Sequence, residues 1–229
     1  MYTLHIANKN YSSWSLRPWV LMKALGIDFT ENLHHFDDKV AIEFRKFSPA
    51  GKVPCLVDGA TTVWDSLAIT EYLAENHAGV WPADAIARAW ARCAAAEMHS
   101  GFGALRGQHG MNVGVRVEVT ARSPELLADI ARVEALWAEG LGRFGGPFLA
   151  GAKFTAADAF FAPVVYRFRT YGVAPTGAAA SYLAHMLQHP AMRQWEAEAL
   201  AEDFRDPPHD AEIATVGKIT ADCRVPVAA

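Results

Sequence analysis

Cysteine is scarce in this chain: Cys55, Cys93 and Cys223 are the only three, and they lie far apart. That excludes a disulfide framework and a paired-cysteine redox motif, and it fits a reducing compartment. No apolar run approaches the length of about eighteen residues that a membrane span requires. The opening residues, MYTLHIANKN, lack a basic stretch followed by a long apolar one, so no secretory signal is expected. Charge of one sign is lacking too. The formal net charge is -4 and there is no polybasic run, which argues against a nucleic-acid partner. Internal repeats and low-complexity tracts are absent. What remains is a chain of 229 residues, 52% hydrophobic and 20% charged, enough to bury a real core in one large or two small domains. The expectation is a soluble cytoplasmic protein.

The first eighty or so residues mix strand and helix signals, and the rest reads as helical. YTLHIA alternates and predicts a strand at residues 2–7. LRPWVLMKAL, residues 16–25, predicts a helix that stops at Gly26. With Ser13 or Ser15 as its N-cap, Pro18 falls in or beside the first turn, where a missing N–H costs little. A strand is predicted at residues 28–34, a hairpin over VPCLVDGATTVW with its turn at Asp58-Gly59, and an amphipathic helix over DSLAITEYLAENHA. Gly and Pro in GVWPADAI place a linker at residues 79–86. Helical spacing follows throughout, with no competing strand; residues 107–122 are the least defined and the last twenty-five look irregular.

Four local patterns could carry chemistry. Ser12-Ser13-Trp14-Ser15 sits where a strand hands over to a helix. Capping explains serines there, and so does a hydroxyl aimed at an anion held by the helix N-terminus. Val53-Pro54 precedes a strand, either as a plain strand-initiating proline or as a cis bond that turns Val53 toward an extended peptide. Asp65-Ser66 opens a helix, as a cap or as a carboxylate-binding start. Thr155 followed by Asp158 is a capping box and reads as structural. His34 and His35 are adjacent on a strand and so point to opposite faces, which is poor metal geometry, and no metal is expected. Cys55 reads as a buried small hydrophobe.

In this order and spacing, Ser12 with Arg17, KVPCLVDG, DSLAITEYL and FTAADAFFAP resemble the cytosolic glutathione transferase superfamily, with motifs closest to its serine-type zeta and tau classes. The resemblance covers nearly the whole chain apart from residues 107–122 and the tail. It implies a fold of class α/β plus all-α: a thioredoxin-like domain at residues 1–78, a linker at 79–86 and an all-helical domain at 87–229, assembled as a homodimer.

It also implies glutathione as co-substrate. Ser12 matches the serine that contacts the glutathione sulfur, with Ser13 as the alternative contact. Val53 matches the residue before the cis-proline, here Pro54, and Asp65 and Ser66 match the pair that holds the γ-glutamyl end. Lys39 and Lys52 lie where some classes hold the glycyl carboxylate. Lowering the thiol pKa by about two units requires roughly 2.7 kcal/mol, which one charge-assisted bond from a serine hydroxyl plus a helix N-terminus can supply. The pocket for a small electrophile is expected between the domains, lined by Trp14, Phe102, Arg106 and Tyr166, with Arg169 as a contact for an acidic substrate or a surface ion pair. Zeta enzymes, maleylacetoacetate isomerase among them, have cysteine where this chain has Trp14, and arginine where it has Thr170. A detoxifying transferase is therefore the leading expectation. The alternatives are an isomerase or peroxidase using the same thiolate, and a non-catalytic interaction module.

Overall fold

The computed structural model describes residues 1–36 and 40–226. Its first part is a four-stranded sheet with helices. Strand β1 (Tyr2–Ala7) leads into helix α1 (Ser13–Leu25), which returns to strand β2 (Phe29–His34). A short helix α2 (Val40–Arg45) precedes the hairpin of β3 (Cys55–Asp58) and β4 (Thr61–Val63), and helix α3 (Ser66–Asn76) closes the unit. The strand order is β2-β1-β3-β4, with β1 and β2 parallel and the other neighbours antiparallel. This is a thioredoxin-like arrangement. Leu4 and Ile6 of β1 and Leu56 of β3 are fully buried beneath α1 and α3, and His5 and Ala7 on the other face of β1 are buried too, as befits a central strand.

Helix α1 starts earlier than the sequence predicts. Its N-cap position is Ser12, so Ser13 and Ser15 are helical residues and Pro18 lies inside the helix. There it cannot donate to the Trp14 carbonyl one turn back. Buried packing of Leu16, Trp19, Val20 and Met22 outweighs that loss. Gly26 adopts a left-handed conformation (φ 66°) and ends the helix as expected. In the hairpin, Asp58 remains paired in its strand and Gly59 alone takes the positive φ of 58°.

The second part is mainly helical: α4 (Ala85–Ser100), α5 (Gly103–Gln108), α6 (Pro124–Phe144), α7 (Ala156–Thr170), α8 (Gly177–Gln188), α9 (Pro190–Ala201) and α10 (Pro207–Val216). Helix α7 is buried at every residue except Arg169 and packs against α1 and α4. Its capping box forms as predicted. The Asp158 carboxylate accepts bonds from the Thr155 and Leu149 amides, both at 2.9 Å, from the Thr155 hydroxyl at 3.2 Å and from Tyr182 at 3.1 Å. Burial pushes its pKa up to about 6.

A two-stranded ribbon interrupts this helical part, contrary to the reading that no strand competes there. Strand β5 (Val115–Val119) pairs antiparallel with β6 (Gly217–Asp222). The alternation in VRVEV signals β5, but its partner lies about a hundred residues away, beyond any local pattern. None of the described helices is long and apolar enough to cross a membrane.

Candidate active site

The loop between β1 and α1 is held in part by the helical part of the chain. The amides of Lys9 and Asn10 donate to the Glu202 carboxylate, at 2.7 Å and 3.4 Å. Trp195 of α9 donates its indole N–H to the Lys9 carbonyl at 2.9 Å, and the Lys9 ammonium pairs with Glu31 at 2.6 Å and with Glu198. Asn8 accepts from the Tyr11 and Ser12 amides, at 3.1 Å and 2.9 Å, turning the chain into the helix. Ser12 is thereby fixed at the start of α1, where unpaired N–H groups and the helix dipole favour negative charge. Its hydroxyl makes no capping bond. It donates instead to the Ser15 hydroxyl at 2.7 Å, which also accepts the Ala7 amide at 3.1 Å.

Ser12, Ser13 and Trp14 border a cavity of about 740 Å³. Lys52 and Val53 contribute from the segment before β3, and Tyr11, Phe36 and Phe44 supply aromatic surface. The opposite wall comes from Arg106 on α5, Arg167 on α7, and His209 and Glu212 on α10. The Val53–Pro54 bond is cis, and Pro54 itself is buried outside the lining. Asp65 caps α3 by accepting the Leu67 amide at 3.0 Å, and its other oxygen lies 3.4 Å from His99 Nε2. His99 in turn packs edge-on to Trp14, with centroids 5.4 Å apart. The Ser66 hydroxyl is buried and has no hydrogen-bond partner among the described residues. Asp65 and Ser66 thus adjoin the Trp14 end of the site without lining the cavity. Lys39 lies outside the described residues.

Three guanidiniums converge here. Arg17 is buried against Trp14 (4.1 Å) and Phe160 (5.0 Å), and its Nε and Nη1 have no partner among the described residues. Burial first, then Arg106 and Arg167 nearby, pushes its pKa down to about 9. Arg106 also lies over Trp14 (4.8 Å) and donates to the His99 and Gly101 carbonyls, at 3.1 Å and 3.2 Å. Arg167 donates to the Arg106 carbonyl at 3.3 Å and to that of His109, and burial lowers its pKa to about 10. The arginine–carboxylate pairs among the described residues involve Arg92, Arg132, Arg143, Arg169 and Arg224, none of these three. The direct acceptors of Arg106 and Arg167 are therefore carbonyls and not carboxylates, while Glu212 places one carboxylate on the same cavity wall.

Three residues expected in the pocket do not line it. Phe102 is buried at the left-handed start of α5 (φ 56°). Tyr166 is fully buried and donates to the Met192 carbonyl at 2.5 Å. Arg169 pairs with Glu196 at 2.7 Å, the ion-pair alternative. Arg167 takes the cavity position instead, because residues two apart on a helix face opposite ways. Sequence reasoning also missed His209 and Glu212, although Asp206-Pro207-Pro208 was an available helix-start signal. His34 ends β2 and His35 lies just past it, not on the strand as expected, and they have separate partners: His34 Nε2 is 2.9 Å from His5 Nδ1, and His35 Nδ1 is 3.0 Å from Asn8 Nδ2. Cys55 is buried, its thiol 3.5 Å from the Phe47 carbonyl, and burial raises its pKa.

Comparison with known proteins agrees with this architecture. The family profile for the glutathione S-transferase N-terminal domain matches residues 11–76, and that for the C-terminal domain matches residues 118–198. A zeta-class glutathione S-transferase from Euphorbia esula is 30% identical over 161 residues, 68% of this chain and 71% of that protein. A probable maleylacetoacetate isomerase from Caenorhabditis elegans is 28% identical over 161 residues, 67% of this chain and 72% of that protein. Among solved structures, a glutathione transferase homolog from Burkholderia with bound glutathione superposes with a TM-score of 0.63 at 24% identity, covering 86% of this chain and 97% of that one. Profile coverage of both domains, together with the Euphorbia relative, places the chain in the glutathione S-transferase family.

Proposed function

We propose that the protein is a serine-type glutathione transferase in which Ser12 stabilises the glutathione thiolate for attack on a small electrophile. The observation that carries this reading is the Ser12 hydroxyl: it borders the cavity at a helix N-terminus and is not used as a cap. Ser15 accepts the Ala7 amide and retains its own proton. In the structure Ser12 donates to Ser15; when glutathione binds, this bond reverses, the Ser15 proton turning toward the Ser12 oxygen and the Ser12 O–H turning to the sulfur. One such bond to a charged acceptor contributes about 1.5–3 kcal/mol, close to the roughly 2.7 kcal/mol that a two-unit fall in thiol pKa requires. No general base is needed.

Lys52 and Val53 border the same cavity, the cysteinyl part of glutathione pairing with the Val53 backbone. The unpartnered Ser66 hydroxyl, beside the Asp65 carboxylate, receives the γ-glutamyl end. The reading groups residues 1–78 as the glutathione-binding unit, 79–86 as linker and 87–229 as the second domain. It also takes the protein to be a cytoplasmic homodimer that detoxifies electrophiles, a state that light scattering on the purified protein checks. Glutathione binding and turnover across a panel of electrophiles test the proposal. Neither binding nor turnover with Ser12 intact overturns it and leaves the interaction module.

A second reading has a specific observation in its favour. Arg106 and Arg167 face the cavity without a paired carboxylate and outnumber Glu212 on its lining, which suits an acidic substrate and the isomerisation of a cis-dienoic acid by the same thiolate. Faster turnover of such an acid than of an aryl halide decides for the isomerase.

A further inference from the structure

The tail contributes an imidazole to the cavity that the thiolate mechanism does not use. His209, in the first turn of α10, lines the cavity with 40% of its side chain exposed, so solvent can reach the ring. Its Nδ1 lies 2.6 Å from Oδ2 of Asp206, a buried carboxylate whose side chain is 6% exposed. With Nδ1 engaged, Nε2 is the nitrogen without a partner among the described residues. An imidazole on a cavity wall with one ring nitrogen held by a carboxylate is an arrangement in which the ring exchanges protons with a ligand.

The dyad is fastened to the sulfur-binding loop. The Asp206 amide donates to the Tyr11 hydroxyl at 3.3 Å, and the Tyr11 and His209 rings lie 5.3 Å apart between centroids. Tyr11 immediately precedes Ser12. Arg224 closes the arrangement by donating to the Tyr11 hydroxyl and to both Asp210 oxygens, at 2.9 Å, 2.9 Å and 3.0 Å. Ser12 and His209 are thus held on one cavity by elements nearly two hundred residues apart in sequence.

We propose that His209, oriented by Asp206, is the proton donor when this site adds glutathione to the electron-poor double bond of an α,β-unsaturated carbonyl compound. The proposal rests on the transferase reading above. The thiolate lone pair forms the S–C bond at the β carbon, and the π pair of the C=C bond moves into an enolate. The enolate then takes the Nε2 proton of His209 in its imidazolium form, whose Nδ1–H stays on Asp206, to form a C–H bond at the α carbon and leave neutral imidazole. Solvent returns a proton to the imidazole, which balances the one released when the glutathione thiol ionised. Substitution on an aryl halide expels halide and needs no proton at carbon. The two reactions therefore separate the role of His209 from that of Ser12.

An α-methylene ketone is the informative substrate, because protonation at its α carbon creates a stereocentre. The purified protein, glutathione and this ketone are compared with glutathione and an aryl halide. Products are quenched in acid, and the diastereomer ratio is read by NMR. The wild-type protein gives one diastereomer in excess. In His209→Gln that excess disappears and the ketone-to-aryl-halide rate ratio falls at least about tenfold, at the low end of what a general acid contributes. Asp206→Asn, which misorients the ring, lowers the excess in the same sense. Free imidazole added to His209→Ala restores rate without restoring the excess, which a merely structural role would not produce. Retention of both the excess and the rate ratio in His209→Gln overturns the proposal. So does a wild-type protein that binds glutathione and turns over the aryl halide but not the ketone. Absence of glutathione binding overturns the transferase reading and this proposal with it.

Discussion

The Ser12 and Ser15 hydroxyl oxygens lie 2.7 Å apart, and Ser15 is also bonded to the amide of Ala7 at the end of the first strand. The residue assigned to the sulfur is therefore tied through one side chain to the central sheet. Ser15→Ala removes both bonds. We expect the glutathione thiolate pKa to rise, because Ser12 loses the hydroxyl partner that orients it and that, with the bond reversed, donates to its oxygen. We also expect a stability loss of about 1–3 kcal/mol from the orphaned, buried Ala7 amide. Titration of bound glutathione by thiolate absorbance and denaturant unfolding check the two effects separately.

Arg106 tests the charge of the cavity wall. Arg106→Gln keeps a donor for the His99 and Gly101 carbonyls but removes the positive charge beside Trp14. The KM for a carboxylate-bearing electrophile is expected to rise about tenfold or more relative to a neutral one of similar shape, since a lost interfacial charge contact costs about 2 kcal/mol or more. Equal changes for the two electrophiles contradict an anion-binding role.

Asp158 is the stability counterpart. Its buried carboxylate accepts four bonds that join α7 to the preceding loop and to α8. Asp158→Ala leaves those donors without a partner and opens a small cavity. The expected loss is about 3–5 kcal/mol, the range for breaking a buried charged network. Chemical denaturation measures it, and a loss under about 1 kcal/mol contradicts the role assigned to the box.

The tail offers a fourth test. Arg224, whose side chain is 7% exposed, pairs with Asp210 and Asp222 and reaches Tyr11. Arg224→Ala should loosen α10 and β6. Faster amide exchange at residues 207–222 is expected, with exchange in α7 unchanged. Uniform exchange across the chain, equal to wild type, contradicts a clasp.

What the sequence reveals and what it hides follow a physical line. Strand β1, helix α3 and the capping box of α7 are written in neighbouring residues, so alternation, an Asp cap and a Thr–Asp pair find them. Rotational phase is another matter. Tyr166, Arg167 and Arg169 share one buried helix, and only its packing against α1 and α4 determines which of them meets the cavity. Phe102 is apolar and interdomain by position, yet a left-handed backbone turns it into the core. The ribbon of β5 with β6, and the return of His209 to the Ser12 loop, are long-range pairings that no local window contains. Ser12 itself was legible as a residue, but the role of Ser15 was not, because a helical serine bonded back to the preceding strand reads like any cap.

Ser12→Ala, assayed for glutathione affinity and thiolate absorbance together, is the most direct measurement. Near-wild-type affinity is expected, with Lys52, Val53 and the Asp65–Ser66 corner still in place. The thiolate signal at neutral pH should fall strongly, reflecting the loss of about 1.5–3 kcal/mol of preferential stabilisation. An unchanged thiolate signal would remove Ser12 from the mechanism.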